Sequence, residues 1–317
     1  MLSGKRILVS GGAGFIGSHL VGECLRAGAD LVVIVDNFFL GSAANIPKDS
    51  GKIVTHRIDA SDLSAMSTIV ESNKIDWVFD LAVVPLPTSL DFPHWTVDTN
   101  VSIVGTMCEL LRRQQIERLI HLSSSEAFGT AVTVPMSEEH PLMPTTPYAA
   151  SKAAGDLIIE SYVRTFGLDA RVLRPFNNYG PHQNSGSYAG IIPIVVDRIR
   201  TGRPVTIFGD GAQTRDFTFV GDTVRAVLDL ALTSYFPSDK PINVATGVET
   251  SILDLVGMIA NAMDAPPPEI EFQEERIGDV LRHCADTRLL QSVLGRQIPP
   301  ISLERLAETA DWYLSRP

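Results

Sequence analysis

The sequence predicts an α/β fold in which a parallel, doubly wound sheet is followed by a smaller C-terminal α/β domain. Short apolar runs alternate with helical stretches through the first half of the chain, an order typical of βαβ units with helices on both faces of a parallel sheet. The first apolar run ends in a cluster of glycines. After Arg174 prolines and glycines become frequent and the helical stretches shorten. These three observations together indicate the fold class.

The first predicted strand is the apolar run Arg6–Ser10, and an amphipathic helix is predicted to follow it over residues 15–27. The second strand, Leu31–Val35, is apolar throughout and is closed by Asp36. A continuous apolar run is expected of a strand that is buried on both faces. Further strands are predicted over 52–58, 77–81, 118–123 and 170–173, and the longer helices over 97–115 and 148–166.

Charge and composition argue against several classes of protein. The formal net charge of −11, from 26 basic and 37 acidic residues, argues against a nucleic-acid-binding surface. No run of about 18 apolar residues is present, so no membrane span is expected. The three cysteines are scattered and fit no metal-ligand spacing, so no metal site is expected. Because the first strand begins almost at once, no signal peptide is expected, and we predict a cytoplasmic protein.

A glycine motif lies between the first predicted strand and the first helix. Residues 12–17, Gly-Ala-Gly-Phe-Ile-Gly, match the pattern G-x-G-x-x-G, whose glycines let the backbone approach a pyrophosphate at a helix N-terminus. Asp36 ends the second strand, where its carboxylate can bind a ribose diol and would repel a 2′-phosphate. This context predicts a Rossmann domain that binds NAD rather than NADP. Asp59 and Ala60 follow the third strand and are expected near the adenine.

A second motif, Tyr148 and Lys152, is suited to proton transfer. Residues at i and i+4 share one face of a helix, so the Lys152 ammonium is expected close to the Tyr148 phenol. A neighbouring cation favours phenolate and is expected to lower the pKa of Tyr148, which would make this side chain a general base near neutral pH.

These motifs resemble those of the extended short-chain dehydrogenase/reductases that modify nucleotide sugars. The resemblance covers nearly the whole chain and rests on residues 11–17, 100–106, 123–129, 148–152, 174–181, 209–217 and 276–280. It implies an NAD-binding Rossmann domain over 1–175, rejoined by parts of 216–245, and a nucleotide-sugar-binding domain made mainly of 176–317. It also implies a homodimer formed through the helices at 97–115 and 148–166.

The resemblance also implies roles for individual residues. Tyr148 would take the proton of a sugar hydroxyl, usually at C4, while Lys152 holds the nicotinamide ribose and Ser124 shares the hydroxyl's hydrogen bond. The further NAD contacts that it implies are Gly11, Gly14, Phe15, Ile16, Gly17, Asn37, Leu81, Ala82 and Asn100. The nucleotide sugar would be bound by Ser124, Ser125, Asn177, Arg215 and Arg276, and the two guanidinium groups are apt for a diphosphate.

The chain departs from the family pattern after the fourth strand. Where the family usually has His-x-Ala-Ala, this chain has Asp80-Leu81-Ala82-Val83, followed by Val84 and Pro85. We expect Asp80 to alter packing alone. The apolar stretch 83–85 is expected to pass the nicotinamide and the sugar, and it lacks polar groups that some members place there.

Several reactions are open once C4 of the sugar is a ketone. Glu126, two residues after Ser124, resembles the glutamate that serves as C5 base in retaining 4,6-dehydratases, whereas 4-epimerases more often have a small residue there. Dehydratases of the thymidine-diphosphate class also have an aspartate where this chain has Ser125. We therefore predict a nucleotide-hexose 4,6-dehydratase first and a 4-epimerase second.

A glucuronate decarboxylase ranks third, since such enzymes use an arginine near the position of His283, and Arg282 is adjacent. A non-catalytic NAD-binding sensor on the same fold is the alternative from a different class. The presence of Ser124, Tyr148 and Lys152 argues against a sensor.

Overall fold

The computed structural model describes residues 1–48, 51–185, 190–237, 240–274 and 281–315. Its strands are β1 (Arg6–Ser10), β2 (Leu31–Val35), β3 (Ile53–His56), β4 (Trp77–Asp80), β5 (Arg118–Leu122), β6 (Ala170–Pro175), β7 (Asn178–Tyr179), β8 (Val205–Phe208), β9 (Thr214–Arg215), β10 (Thr218–Phe219), β11 (Ile242–Val244), β12 (Thr250–Ser251) and β13 (Ile270–Gln273).

The helices follow the strands in alternation through the first half of the chain. They are α1 (Phe15–Arg26), α2 (Leu63–Asn73), α3 (Leu86–Asp91), α4 (Pro93–Arg112), α5 (Pro147–Phe166), α6 (Ile191–Thr201), α7 (Val220–Leu232), α8 (Ile252–Ala262), α9 (Arg288–Leu294) and α10 (Leu303–Leu314). Two short 3₁₀ turns cover Ala43–Asn45 and Ser125–Phe128.

Seven strands form one parallel sheet in the order β11-β6-β5-β4-β1-β2-β3. The predicted α/β fold with a parallel sheet is therefore confirmed. The chain runs outward from β1 to β3 and then returns to β4 on the other side of β1. Ligands bind at such a reversal of strand order, outside the carboxyl ends of the strands.

Both faces of the sheet are buried, as the continuous apolar runs predict. In β1, Leu8 packs with one hydrophobic cluster while Ile7 and Val9 pack with the other. The Leu8 face is covered from α2, α4 and α5, and the opposite face from α1 and α7, where the cluster continues into α6, α8 and α10. Strand side chains alternate between the faces, so Ser10 points to the same face as Leu8.

After β6, short strand pairs replace the large sheet. β7 pairs with β10 and β8 with β13, both parallel, while β9 pairs with β12 in the antiparallel sense. The helix predicted over 97–115 differs most from the structure, because α4 begins at Pro93. Proline is favoured in a first helical turn, so the helix extends upstream to it. The division into two domains at 175 and 176 stays a prediction.

Candidate active site

A cleft of about 500 Å³ opens at the carboxyl ends of β1, β2, β4 and β5. Most residues predicted to bind the cofactor or to act on the substrate line it. These are Gly11, Gly14, Phe15, Ile16, Gly17, Asp36, Asn37, Asp59, Ala60, Leu81, Ala82, Ser124, Ser125, Glu126, Tyr148, Lys152 and Asn177. The apolar stretch Val83, Val84 and Pro85 lines the same cleft.

The turn between β1 and α1 can exist only with glycine. Gly11 has φ +66°, and a Cβ on Gly17 would lie 2.1 Å from the Gly11 carbonyl oxygen. The Gly14 amide donates to that same oxygen over 3.0 Å, which closes the turn immediately before α1. The backbone is thus open at a helix N-terminus, as the pyrophosphate of a dinucleotide requires.

Asp36 is held rigidly at the end of β2. Its carboxylate accepts hydrogen bonds from the amides of Ala13, at 2.9 Å, and Phe38, at 2.8 Å. Nearby, Asn37 donates to the Asp59 carboxylate over 3.2 Å. Two acidic side chains therefore line the part of the cleft next to β2 and β3. There they can accept hydrogen bonds from ribose hydroxyls and from the adenine edge, and they would repel a 2′-phosphate.

Ser124, Glu126 and Tyr148 come together at the opposite end of the cleft. Ser124 caps the turn Ser125–Phe128, accepting from the Glu126 amide at 3.2 Å, and its hydroxyl is hydrogen-bonded to Tyr148. Thr146 caps α5 by accepting from the Ala149 amide, so Tyr148 lies in the first turn of that helix. The pKa of Tyr148 is raised to about 12, chiefly by burial; the Ser124 hydrogen bond acts to lower it and the Glu126 carboxylate acts to raise it.

The predicted lowering of the Tyr148 pKa is wrong for this arrangement of side chains. The Lys152 ammonium donates to the Leu122 carbonyl oxygen at 2.6 Å and to His121 Nε2 at 3.4 Å. The ammonium is therefore directed toward the carboxyl end of β5 rather than toward the phenol. The two side chains share a helix face and a cleft, but burial dominates the pKa of Tyr148.

Two predicted site residues of the described part of the chain, Asn100 and Arg215, are not among those that line the cleft. Asn100 is buried and instead binds the Val84 amide, at 2.7 Å, and Ser151, at 2.9 Å, so it supports the cleft wall from behind. Arg215 donates to the Thr214 carbonyl oxygen at 2.9 Å. Arg276 lies outside the described residues. Direct contact of Asn100 with NAD stays a prediction.

A buried histidine connects the two sides of the substrate end. His283 Nε2 lies 3.2 Å from the Ser125 carbonyl oxygen, and its Nδ1 lies 3.5 Å from the Asn177 amide nitrogen. Burial and then the Arg215 cation lower the pKa of His283 to about 4, so the imidazole is neutral. Arg282 points away and forms an exposed ion pair with Glu249.

Sequence reasoning missed further parts of this site. Phe39 and Trp95 line the cleft and contact one another edge to face, and no motif indicates them. Asp80 was expected to affect packing alone, yet it hydrogen-bonds Ser10 and His121 under the cleft. Its departure from the family pattern is the signal in the sequence that pointed to it.

Among the described residues, no group of three or more His, Cys, Asp or Glu side chains is arranged to hold a metal ion. In the same part of the chain, no helix combines the length and apolar character needed to cross a bilayer.

Comparison with known proteins places this cleft in a family. The model of the NAD-dependent epimerase/dehydratase family matches residues 7–245. A UDP-glucose 4-epimerase of Mycolicibacterium smegmatis is 36% identical over 318 residues, covering 98% of this chain and 99% of the relative.

Two solved structures represent two different activities. The UDP-N-acetylglucosamine 4-epimerase of Methanobrevibacter ruminantium superposes with a TM-score of 0.91 at 30% identity, covering 99% of each chain. The dTDP-glucose 4,6-dehydratase DesIV of Streptomyces venezuelae, solved with NAD bound, superposes with a TM-score of 0.89 at 29% identity, covering 98% of this chain and 97% of that one.

Proposed function

This chain belongs to the NAD-dependent epimerase/dehydratase family and is an NAD-dependent enzyme, and from that premise we propose that it is a 4,6-dehydratase of a nucleotide-diphosphate hexose. The observation that carries the proposal is the location of Glu126. Its carboxylate lines the cleft beside Ser124 and close enough to Tyr148 to raise the pKa of that phenol. A dehydratase needs two bases on one sugar ring, and these two side chains supply them.

The first step is oxidation at C4 of the sugar. Tyr148 takes the proton of the C4 hydroxyl, Ser124 holds the oxygen, and the C4 hydride leaves the sugar. NAD, when bound, supplies the hydride acceptor and later returns the hydride. The ketone that forms makes the C5 proton acidic, so a carboxylate becomes a sufficient base.

The second step is elimination across C5 and C6. Glu126 takes the C5 proton, the C6–O bond breaks, and the hydroxyl leaves as water with a proton equivalent to the one that Glu126 removed. The returning hydride is placed on C6 and a proton is placed on C5. That proton balances the one that Tyr148 took from the C4 hydroxyl, so the net change is the loss of one water.

A 4-epimerase is the second candidate. Ser125 stands where thymidine-diphosphate dehydratases have an aspartate, and the 36% identity to a UDP-glucose 4-epimerase favours this activity. In that reaction the hydride returns to the other face of C4, and Glu126 needs no chemical role.

A decarboxylase is disfavoured by the surroundings of the turn Ser125–Phe128. The arginine on which such a reaction depends was expected at Arg282 or at the position of His283. Arg282 is exposed and paired with Glu249, whereas His283 is buried and neutral.

The proposal is tested by exchange at C5. Wild-type enzyme turning over a nucleotide hexose in heavy water should incorporate deuterium at C5. Glu126→Gln should still reduce NAD on addition of substrate, while C5 exchange and product formation fall by about 10²–10⁴-fold, the usual contribution of a general base.

The matched control is Glu139→Gln, which alters an exposed glutamate paired with Lys240 and should retain wild-type exchange. An unchanged rate of product formation in Glu126→Gln would refute the proposed role and favour the epimerase.

We also propose that the enzyme is a homodimer formed through α4 and α5. These helices pack on each other, and apolar side chains on them remain exposed: Trp95, Val97, Leu157 and Phe166. Light scattering should give twice the 34.4 kDa chain mass, and Leu157→Asp should halve it. A wild-type monomer would refute this assembly.

A further inference from the structure

A buried chain of polar side chains runs beneath the cleft, from β1 to α5. Ser10 donates to Asp80 over 2.6 Å, and His121 Nδ1 donates to the other oxygen of Asp80 over 2.7 Å. His121 Nε2 then accepts from the Lys152 ammonium over 3.4 Å. The exposed fractions of Asp80, His121 and Lys152 are only 1%, 2% and 5%.

The sheet itself creates this alignment. Ser10 is in register with Asp80 across β1 and β4, and Asp80 is in register with His121 across β4 and β5. Residues in register on parallel strands point to the same face, which here is the face that α5 covers. The pairing of β1, β4 and β5 therefore places these three side chains next to one another, whatever rotamers they adopt.

The contacts also fix the proton positions. A carboxylate can only accept, so Nδ1 of His121 carries the hydrogen and Nε2 presents its lone pair to the Lys152 ammonium. Ser10 Oγ in turn accepts from the amides of Leu81 and Ala82, at 3.0 and 3.1 Å. The carboxylate charge is thus held between the cofactor-lining backbone and the lysine.

We propose that Asp80 and His121 form a positioning pair that holds the Lys152 ammonium in place and charged in its buried site. Neither residue is among those that line the cleft, so they act on the reaction through Lys152. The inference rests on the proposed function, because Lys152 matters only if Tyr148 is the acid and base of the reaction.

The surrounding charges explain why such a pair is needed. Burial lowers the pKa of Lys152, and the carboxylates of Asp80 and Asp156 oppose that lowering. Asp156 is already bound to Arg174 at 2.8 Å, which leaves Asp80 as the less neutralised of the two anions. The ionisable groups that face this site are Asp80 on β4, His121 on β5, Cys108 on α4, Asp156 and Tyr148 on α5, and Arg174 on β6.

The first test is the pH profile of turnover. Asp80→Asn removes a charge that raises the pKa of Lys152, so the lysine should lose its proton at lower pH. The alkaline limb of kcat should move down by about one pH unit, while KM for the nucleotide sugar and the content of bound NAD stay unchanged. The double variant Asp80→Asn/His121→Phe, which lacks both the carboxylate and its imidazole partner, should give the same shift.

The matched control is Asp222→Asn, which neutralises a buried carboxylate at the start of α7 that pairs with Arg225. Its alkaline limb should coincide with that of the wild type. A profile of Asp80→Asn that also coincides with the wild type, or a loss of kcat that is equal at every pH, would overturn the proposal.

The second test does not depend on activity. Nitrogen-15 NMR of protein labelled at its seven histidines should show one neutral Nδ1–H imidazole whose Nε2 resonance moves in Lys152→Met. An Nε2–H tautomer for His121, or an Nε2 resonance that Lys152→Met leaves unmoved, would overturn the positioning pair even if the proposed reaction is correct. Both NMR observations can be made on a protein that turns over no sugar. A failure of the positioning pair can therefore be distinguished from a failure of the proposed reaction.

Discussion

At the scale of single residues, the behaviour of Tyr148 differs from what its spacing to Lys152 predicts. The i, i+4 pattern correctly predicted a shared helix face but could not predict where the long lysine side chain ends. The ammonium binds the Leu122 carbonyl oxygen and His121, both of which come from β5. Only the packing of α5 on that strand determines this choice.

The raised pKa of Tyr148 gives a pH prediction. Burial is the main cause that raises the pKa of Tyr148, the Ser124 hydrogen bond opposes it and the Glu126 carboxylate adds to it, so C4 oxidation should accelerate as pH rises. Glu126→Gln removes the charge that raises the pKa of Tyr148, so the pH at which NAD reduction accelerates in a single turnover should fall. A rise in that pH, or no change, would contradict the proximity of the two side chains.

At the scale of elements, the sequence predicted β1 and β2 well because each is a largely apolar run. Arg6–Ser10 and Leu31–Val35 end in the structure where their apolar runs end. The two-residue strands β7, β9, β10 and β12 were not predicted, since partners distant in sequence define them. The contacts of Asn100 were not predicted for a related reason, because its bonds to Val84 and Ser151 join three separate segments.

The glycine turn between β1 and α1 gives a prediction at this scale. Gly17→Ala would put a Cβ 2.1 Å from the Gly11 carbonyl oxygen, so the turn must shift. We expect NAD affinity to fall at least about tenfold, with a stability loss of about 1–3 kcal/mol from the overlap.

Gly22→Ala in the same helix is the matched control. Its Cβ would be no closer than 3.6 Å to any neighbour, so it should keep NAD affinity and gain up to about 1 kcal/mol of helix stability. Equal NAD affinity of the two variants in calorimetric titration would contradict the assigned turn.

At the scale of the whole molecule, the strand order explains which site features the sequence could and could not indicate. A motif that follows one strand, such as residues 11–17, can be recognised in a single segment of the sequence. The polar chain from Ser10 to Lys152 is not, because β1, β4 and β5 are neighbours only in the folded sheet. Asp80, one of the departures from the family pattern, is the sign of this chain of side chains in the sequence.

The same scale gives a prediction of cofactor choice. NAD at a hundredfold its Kd should stabilise cofactor-free protein by about 2.7 kcal/mol, since it binds the folded state alone. NADP at the same concentration should stabilise it much less, because Asp36 opposes a 2′-phosphate. Thermal unfolding with each dinucleotide measures the difference, and equal shifts in Tm would contradict the role of Asp36.

As a 4,6-dehydratase, the enzyme should remove water from a nucleotide hexose bound in the cleft. The most direct measurement is mass spectrometry of the products after incubating the protein with a panel of nucleotide sugars. A 4,6-dehydratase should give a product lighter by one water from at least one of them, and Glu126→Gln should abolish that product. An isomer of unchanged mass as the sole product would contradict dehydration and assign the enzyme to 4-epimerisation.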